Sequence, residues 1–99
     1  MMMTLNATEQ AAIYYREAGA LSHKRSEYVK ALQYFKKSLQ TQPDRCDVLW
    51  WIGQVYEAQK KITQAIDQYK SVLGCKGVED EAAHRAALFS WNQLNSSPK

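Results

Sequence analysis

The feature that most constrains this chain is an internal period. Displaced by 34 residues against itself, the sequence sets Gly19 on Gly53, Ala31 on Ala65, Lys36 on Lys70 and Leu39 on Leu73. Similar residues fall together at the same offset: Tyr15 on Leu49, Tyr28 on Ile62, Leu32 on Ile66, Phe35 on Tyr69 and Ser38 on Val72. A fixed period of this size marks a stacked repeat array, in which each unit is too small to bury its apolar face alone and closes its core on a neighbour.

Within each period the pattern is helical. Apolar and small residues recur at steps of three and four, as in Tyr28, Ala31, Leu32, Phe35 and Leu39, which is the spacing of one helix face. Each repeat holds two helices. The first is predicted over about residues 8–23, with Thr8 as N-cap and Glu9 in the first turn, where negative charge suits the helix dipole. A break follows at Lys24 to Ser26. The second helix runs over about 27–40 and is stopped by Pro43, which cannot donate a backbone bond and pushes the residue before it out of helical geometry. Asp44 then opens the next repeat, whose helices span about 47–59 and 63–73, the latter capped by Thr63 and ended by Gly74 and Gly77. A last helix covers about 79–94. Gly19, Ala31, Gly53 and Ala65 sit where paired helices must approach closely, with aromatics beside them to fill the gaps. A glycine inside a helix costs about 1 kcal/mol against alanine, so its recurrence at both equivalent positions implies a packing reason.

Composition bounds what such an array does. The 99 residues, 45% apolar and 23% charged with four Gly and two Pro, describe one folded domain. The net charge of +3 is spread along the chain, and the short basic runs His23-Lys24-Arg25, Lys36-Lys37 and Lys60-Lys61 read as solvated helix faces, so nucleic acid is not called for as a partner. Cys46 and Cys75 form no CxxC motif, metal-ligand spacing or disulfide framework and read as free, buried or half-buried thiols. The longest apolar run, Val48 to Ile52, falls far short of the roughly 20 residues that cross a bilayer, and the N-terminus has no secretory pattern. Cytoplasmic residence is the default. The Met1-Met2-Met3 start and the polar tail at 95–99 suit a complete short chain.

Catalytic motifs do not occur. There is no phosphate-binding glycine loop, HExxH or nucleophile elbow. His23 and His84 lie far apart in sequence with no third ligand beside them, so neither a metal nor another cofactor is expected, and the chain does not read as an enzyme.

These residues resemble the tetratricopeptide repeat, whose pattern pairs a bulky residue, a Leu-Gly and a Tyr on one helix with Ala, Phe and then Pro further on. The second repeat reads Leu49, Ile52-Gly53, Tyr56, Ala65 and Tyr69, and the first reads Tyr15, Ala18-Gly19, Ala31, Phe35 and Pro43. Ser22 stands where the family has an aromatic, and Gly77 replaces the second terminal Pro. The resemblance implies an all-α fold of antiparallel helix-turn-helix repeats, a TPR-like α-solenoid of about five helices, with repeats at 12–45 and 46–79, a capping helix at 80–94 and a tail at 95–99.

In that family the first helices of successive repeats line a concave groove that accepts an extended peptide or a helix. The resemblance places Arg16 and His23 there from the first repeat, Trp50, Trp51, Gln54 and Glu57 from the second, and His84, Arg85 and Leu88 from the cap. Adjacent residues on a helix point about 100° apart, so at least one of Trp50 and Trp51 is expected to face a partner, the alternative being that both pack between helices. A clamp for a C-terminal carboxylate, used by part of the family, falls on Arg16, Ala20, Trp51, Glu81 and Arg85; only the two Arg match in kind and Glu81 repels a carboxylate. The function implied is a protein-protein interaction module acting as adaptor or scaffold. A small secretion-type chaperone is one alternative. The other is a self-associating homodimer with Leu88, Phe89 and Trp91 as contact patch.

Overall fold

A computed structural model describes residues 6–43, 45–75 and 81–95, with the side chains of 81–84 and 95 outside the description. The described residues are all-helical: α1 (Ala7–Lys24), α2 (Tyr28–Thr41), α3 (Cys46–Ala58), α4 (Ile62–Leu73) and α5 (Glu81–Asn95). The chain divides into two compact units, Met1–Arg45 and Cys46–Lys99. The first holds the α1/α2 hairpin, and the second holds the α3/α4 hairpin with α5 packed on it.

The period of 34 reappears in the backbone. Ser26 and Lys60, one period apart, are the described non-glycine residues with positive φ, at 63° and 66°. The residue after each, Glu27 and Lys61, adopts φ −92° and ψ 73° and opens the following helix without a side-chain cap. Hydrogen bonds match position for position. Ser26 N–H donates to His23 O as Lys60 N–H does to Glu57 O, and Glu27 N–H donates to Ser22 O as Lys61 N–H does to Tyr56 O. One left-handed residue thus reverses the chain between the two helices of each hairpin.

Packing recurs at the same offset. Ala31 and Phe35 are fully buried in the first hairpin, and Ala65 and Tyr69 in the second. A Cβ added to Gly19 would stand 2.5–2.8 Å from the ring of Phe35, and one added to Gly53 would meet the ring of Tyr69 in the same way. Both glycines therefore exist because an aromatic from the opposite helix lies against their backbone. Full burial of an aromatic of this kind is worth about 2–3 kcal/mol, so each glycine admits more apolar burial than its low helix propensity forfeits.

Several sequence expectations are corrected. The N-cap of α1 is Asn6, two residues before Thr8; its side chain accepts from Glu9 N–H at 2.7 Å while Glu9 Oε1 accepts from Asn6 N–H at 3.1 Å, a complete capping box. Thr63 does not cap α4, because the left-handed turn at Lys60 lets the helix begin at Ile62. Cys46 and Cys75 are not free thiols; they are joined as a disulfide with Cα atoms 6.5 Å apart. Helical folding places their sulfurs together at one end of the second hairpin, although 29 positions separate them in sequence. Asp44, Gly77 and Glu79 lie outside the described residues.

Candidate functional site

The second unit carries most of the residues singled out from sequence. On α3, Cys46, Val48, Ile52, Gly53 and Val55 are buried and every other residue is half-buried. The hydrophobic stretch that made this helix conspicuous is thus accounted for by packing on several sides.

Trp50 belongs to that packing. It lies against the cluster of Cys46, Ala65, Tyr69, Val72 and Ala87, together with Leu49, Tyr56 and, from α5, Trp91 and Leu94. Its indole N–H is buried and has no acceptor among the described residues. Trp51, next along the helix, is half-buried and meets the Trp50 ring edge-on at a centroid distance of 5.0 Å.

Gln54 and Glu57 converge on one atom. The Tyr69 hydroxyl, on a fully buried side chain of α4, donates to Glu57 Oε1 at 2.7 Å and accepts from Gln54 Nε2 at 2.6 Å. Gln54 Nε2 also reaches the Ser90 hydroxyl of α5 at 3.4 Å. Burial first, and then the hydrogen bond to Glu57 and its negative charge, hold the Tyr69 hydroxyl well above the ordinary tyrosine range. A buried hydroxyl without partners is costly, so both side chains satisfy a core polar group before anything else. This network was not read from sequence, yet a signal exists. One period earlier the aromatic is Phe35, which has no hydroxyl, and the residues matching Gln54 and Glu57 are Ala20 and His23.

On α5 the stripe of Ala87, Trp91 and Leu94 turns inward, with Lys70 Nζ 5.3 Å from the Trp91 ring centroid. Trp91 is therefore not part of an outer patch with its neighbours. Arg85, Leu88 and Phe89 are exposed, Leu88 at 43% and Phe89 at 65%. The His84 side chain lies outside the described residues.

In the first unit, Arg16 is half-buried and its Nη2 donates to Glu17 Oε2 at 2.7 Å. His23 is half-buried in the last turn of α1, its ring tilted against Tyr28 at 5.8 Å. Tyr14, Leu21 and Val29 are exposed on this unit, singly along their helices. Among the described residues no three His, Cys, Asp or Glu side chains gather into a metal-ligating group, and no helix is long and apolar enough to cross a membrane.

The second unit thus has a half-buried indole on α3 and, on α5, the exposed Leu88 and Phe89 three and four residues beyond Arg85. Compared with models of known protein families, with curated proteins and with solved structures, the chain matches none.

Proposed function

We propose that the protein is a tetratricopeptide-type interaction module that binds a peptide or amphipathic helix of another protein. The observation that carries this reading is the recurrence at 34 residues of one hairpin design, in which a left-handed residue closes the turn and an aromatic lies on a helical glycine. Repeats of this design serve as recognition surfaces. On the second unit the reading assigns that role to Trp51 of α3 and to Arg85 and Leu88 of α5, with the exposed Phe89 beside them; on the first unit it assigns it to Arg16 and His23 of α1. An acidic and apolar segment would suit them, its carboxylates meeting arginine and its apolar side chains meeting Trp51 and Leu88.

The test is affinity capture with the wild type and with a folded Trp51→Ala/Arg85→Glu variant, using Lys36→Glu as a surface control. One protein retained by wild type and control but lost by the variant supports the reading. The same proteins retained by all three would overturn it.

A second reading, self-association, is favoured by the exposure of Leu88 and Phe89 side by side on α5. Light scattering over a hundredfold range of concentration separates the two. A mass fixed at one chain removes self-association, whereas a dimer dispersed by Phe89→Lys puts α5 in its interface.

A further inference from the structure

The two hairpins are tied at the same place by different chemistry. In the first, the Ser38 hydroxyl of α2 donates to Ala12 O of α1 at 2.7 Å, fully buried. One period later these positions hold Val72 and Cys46, so the second hairpin has no hydroxyl with which to repeat that bond. There Cys46, the first residue of α3, is joined instead to Cys75, just beyond the end of α4. The residue of the first hairpin that matches Cys75 is Thr41, and its hydroxyl donates to Lys37 O within its own helix.

We propose that the Cys46–Cys75 pair is a redox-responsive tie that sets the stability of the second unit and the seating of α5. The Cα separation of 6.5 Å lies within the range that two cysteines bridge without backbone movement. The ring closed by the bond takes in nearly all of α3 and α4, so opening it restores considerable freedom to the unfolded chain. Cys46 is 4% exposed and sits in the cluster on which Trp91 and Leu94 of α5 pack. Loss of the tie at Cys46 therefore loosens the floor under α5 and, with it, the helix that carries Arg85, Leu88 and Phe89.

Access favours Cys75, which is half-buried at the helix end. A small thiolate attacks its sulfur, the protein disulfide breaks, and Cys46 leaves as a thiolate that takes up a proton. A second small thiolate then attacks the mixed disulfide, releasing Cys75 as a thiolate that is protonated in turn. Two small thiols become one small disulfide, and the protein gains two thiols. The reverse sequence, driven by a small disulfide, closes the tie.

The experiment uses the whole chain, equilibrated with oxidised or with reduced glutathione and alkylated with iodoacetamide before mass measurement. In the oxidised sample neither cysteine is expected to be alkylated, and in the reduced sample both are. The melting temperature should fall on reduction by on the order of 10 °C, and amide exchange in α4 and α5 should quicken at least tenfold. A Cys46→Ala/Cys75→Ser variant, with the alanine that the first hairpin has at the matching place, should melt at one temperature in both media. Two alkylated cysteines under oxidised glutathione, or wild-type melting that ignores the redox state, would overturn the proposal; both readings use the unaltered chain and stand whether or not the variant folds.

Discussion

At the scale of single residues, two contacts decide most. Gly53 exists because the Tyr69 ring occupies the space of its missing side chain, so Gly53→Leu must move either the ring or the helix. Overpacking of this severity at a buried helix crossing should cost at least about 3 kcal/mol, read as a lower urea midpoint, and an unchanged midpoint would contradict the packing described. The Tyr69 hydroxyl makes a second prediction. Tyr69→Phe removes a buried donor and leaves Glu57 and Gln54 to find water, at a cost of about 1 kcal/mol near neutral pH. Because burial and Glu57 raise the folded-state titration of Tyr69, its contribution is full below the unfolded tyrosine value of about 10 and is lost as pH rises beyond it. The stability gap between wild type and Tyr69→Phe should thus stay constant up to about pH 10 and narrow as the pH rises above it. A gap that widens there would mean that the hydroxyl is ionised in the folded protein.

At the scale of elements, the left-handed turn residues are the least comfortable points of the backbone. Lys60 holds φ 66° where an L side chain is disfavoured, so Lys60→Gly should stabilise the protein by about 0.5–1 kcal/mol once the glycine's extra freedom in the unfolded chain is offset. A lower melting temperature for this variant would show that the lysine side chain contributes something beyond the turn. Helix content, the number of helices and the period were legible from sequence, since apolar spacing and Gly19/Gly53 carry that information in the order of residues themselves. Boundaries were less so. Asn6 displaced Thr8 as cap because the capping box needs Glu9 three positions on, and Thr63 lost its role because the turn at Lys60 starts α4 earlier. The cysteine pair and the Tyr69 network were hidden for a shared reason. Both join side chains from different helices, and motif spacing along the chain is blind to a partner brought near by folding.

At the scale of the whole molecule, the residues of the second unit divide by burial. Trp50, Gln54 and Glu57 hold its core together, while Leu88 and Phe89 of α5 are exposed. Truncation should follow that division. Trp50→Ala should lower stability by about 3 kcal/mol or more, as large-to-small changes in packed cores do, whereas Leu88→Ala should leave the melting temperature within a degree or two. Equal destabilisation by the two would erase the distinction between core and exposed residues. The most direct test of the protein as a binding module is a calorimetric titration of the segment from its captured partner into wild type and into Trp51→Ala, each first verified as folded by circular dichroism. The expected result is saturable binding to the wild type that weakens at least tenfold in the variant, the loss typical of an aromatic anchor. Equal dissociation constants for the two folded proteins would contradict it and remove α3 from the recognition surface.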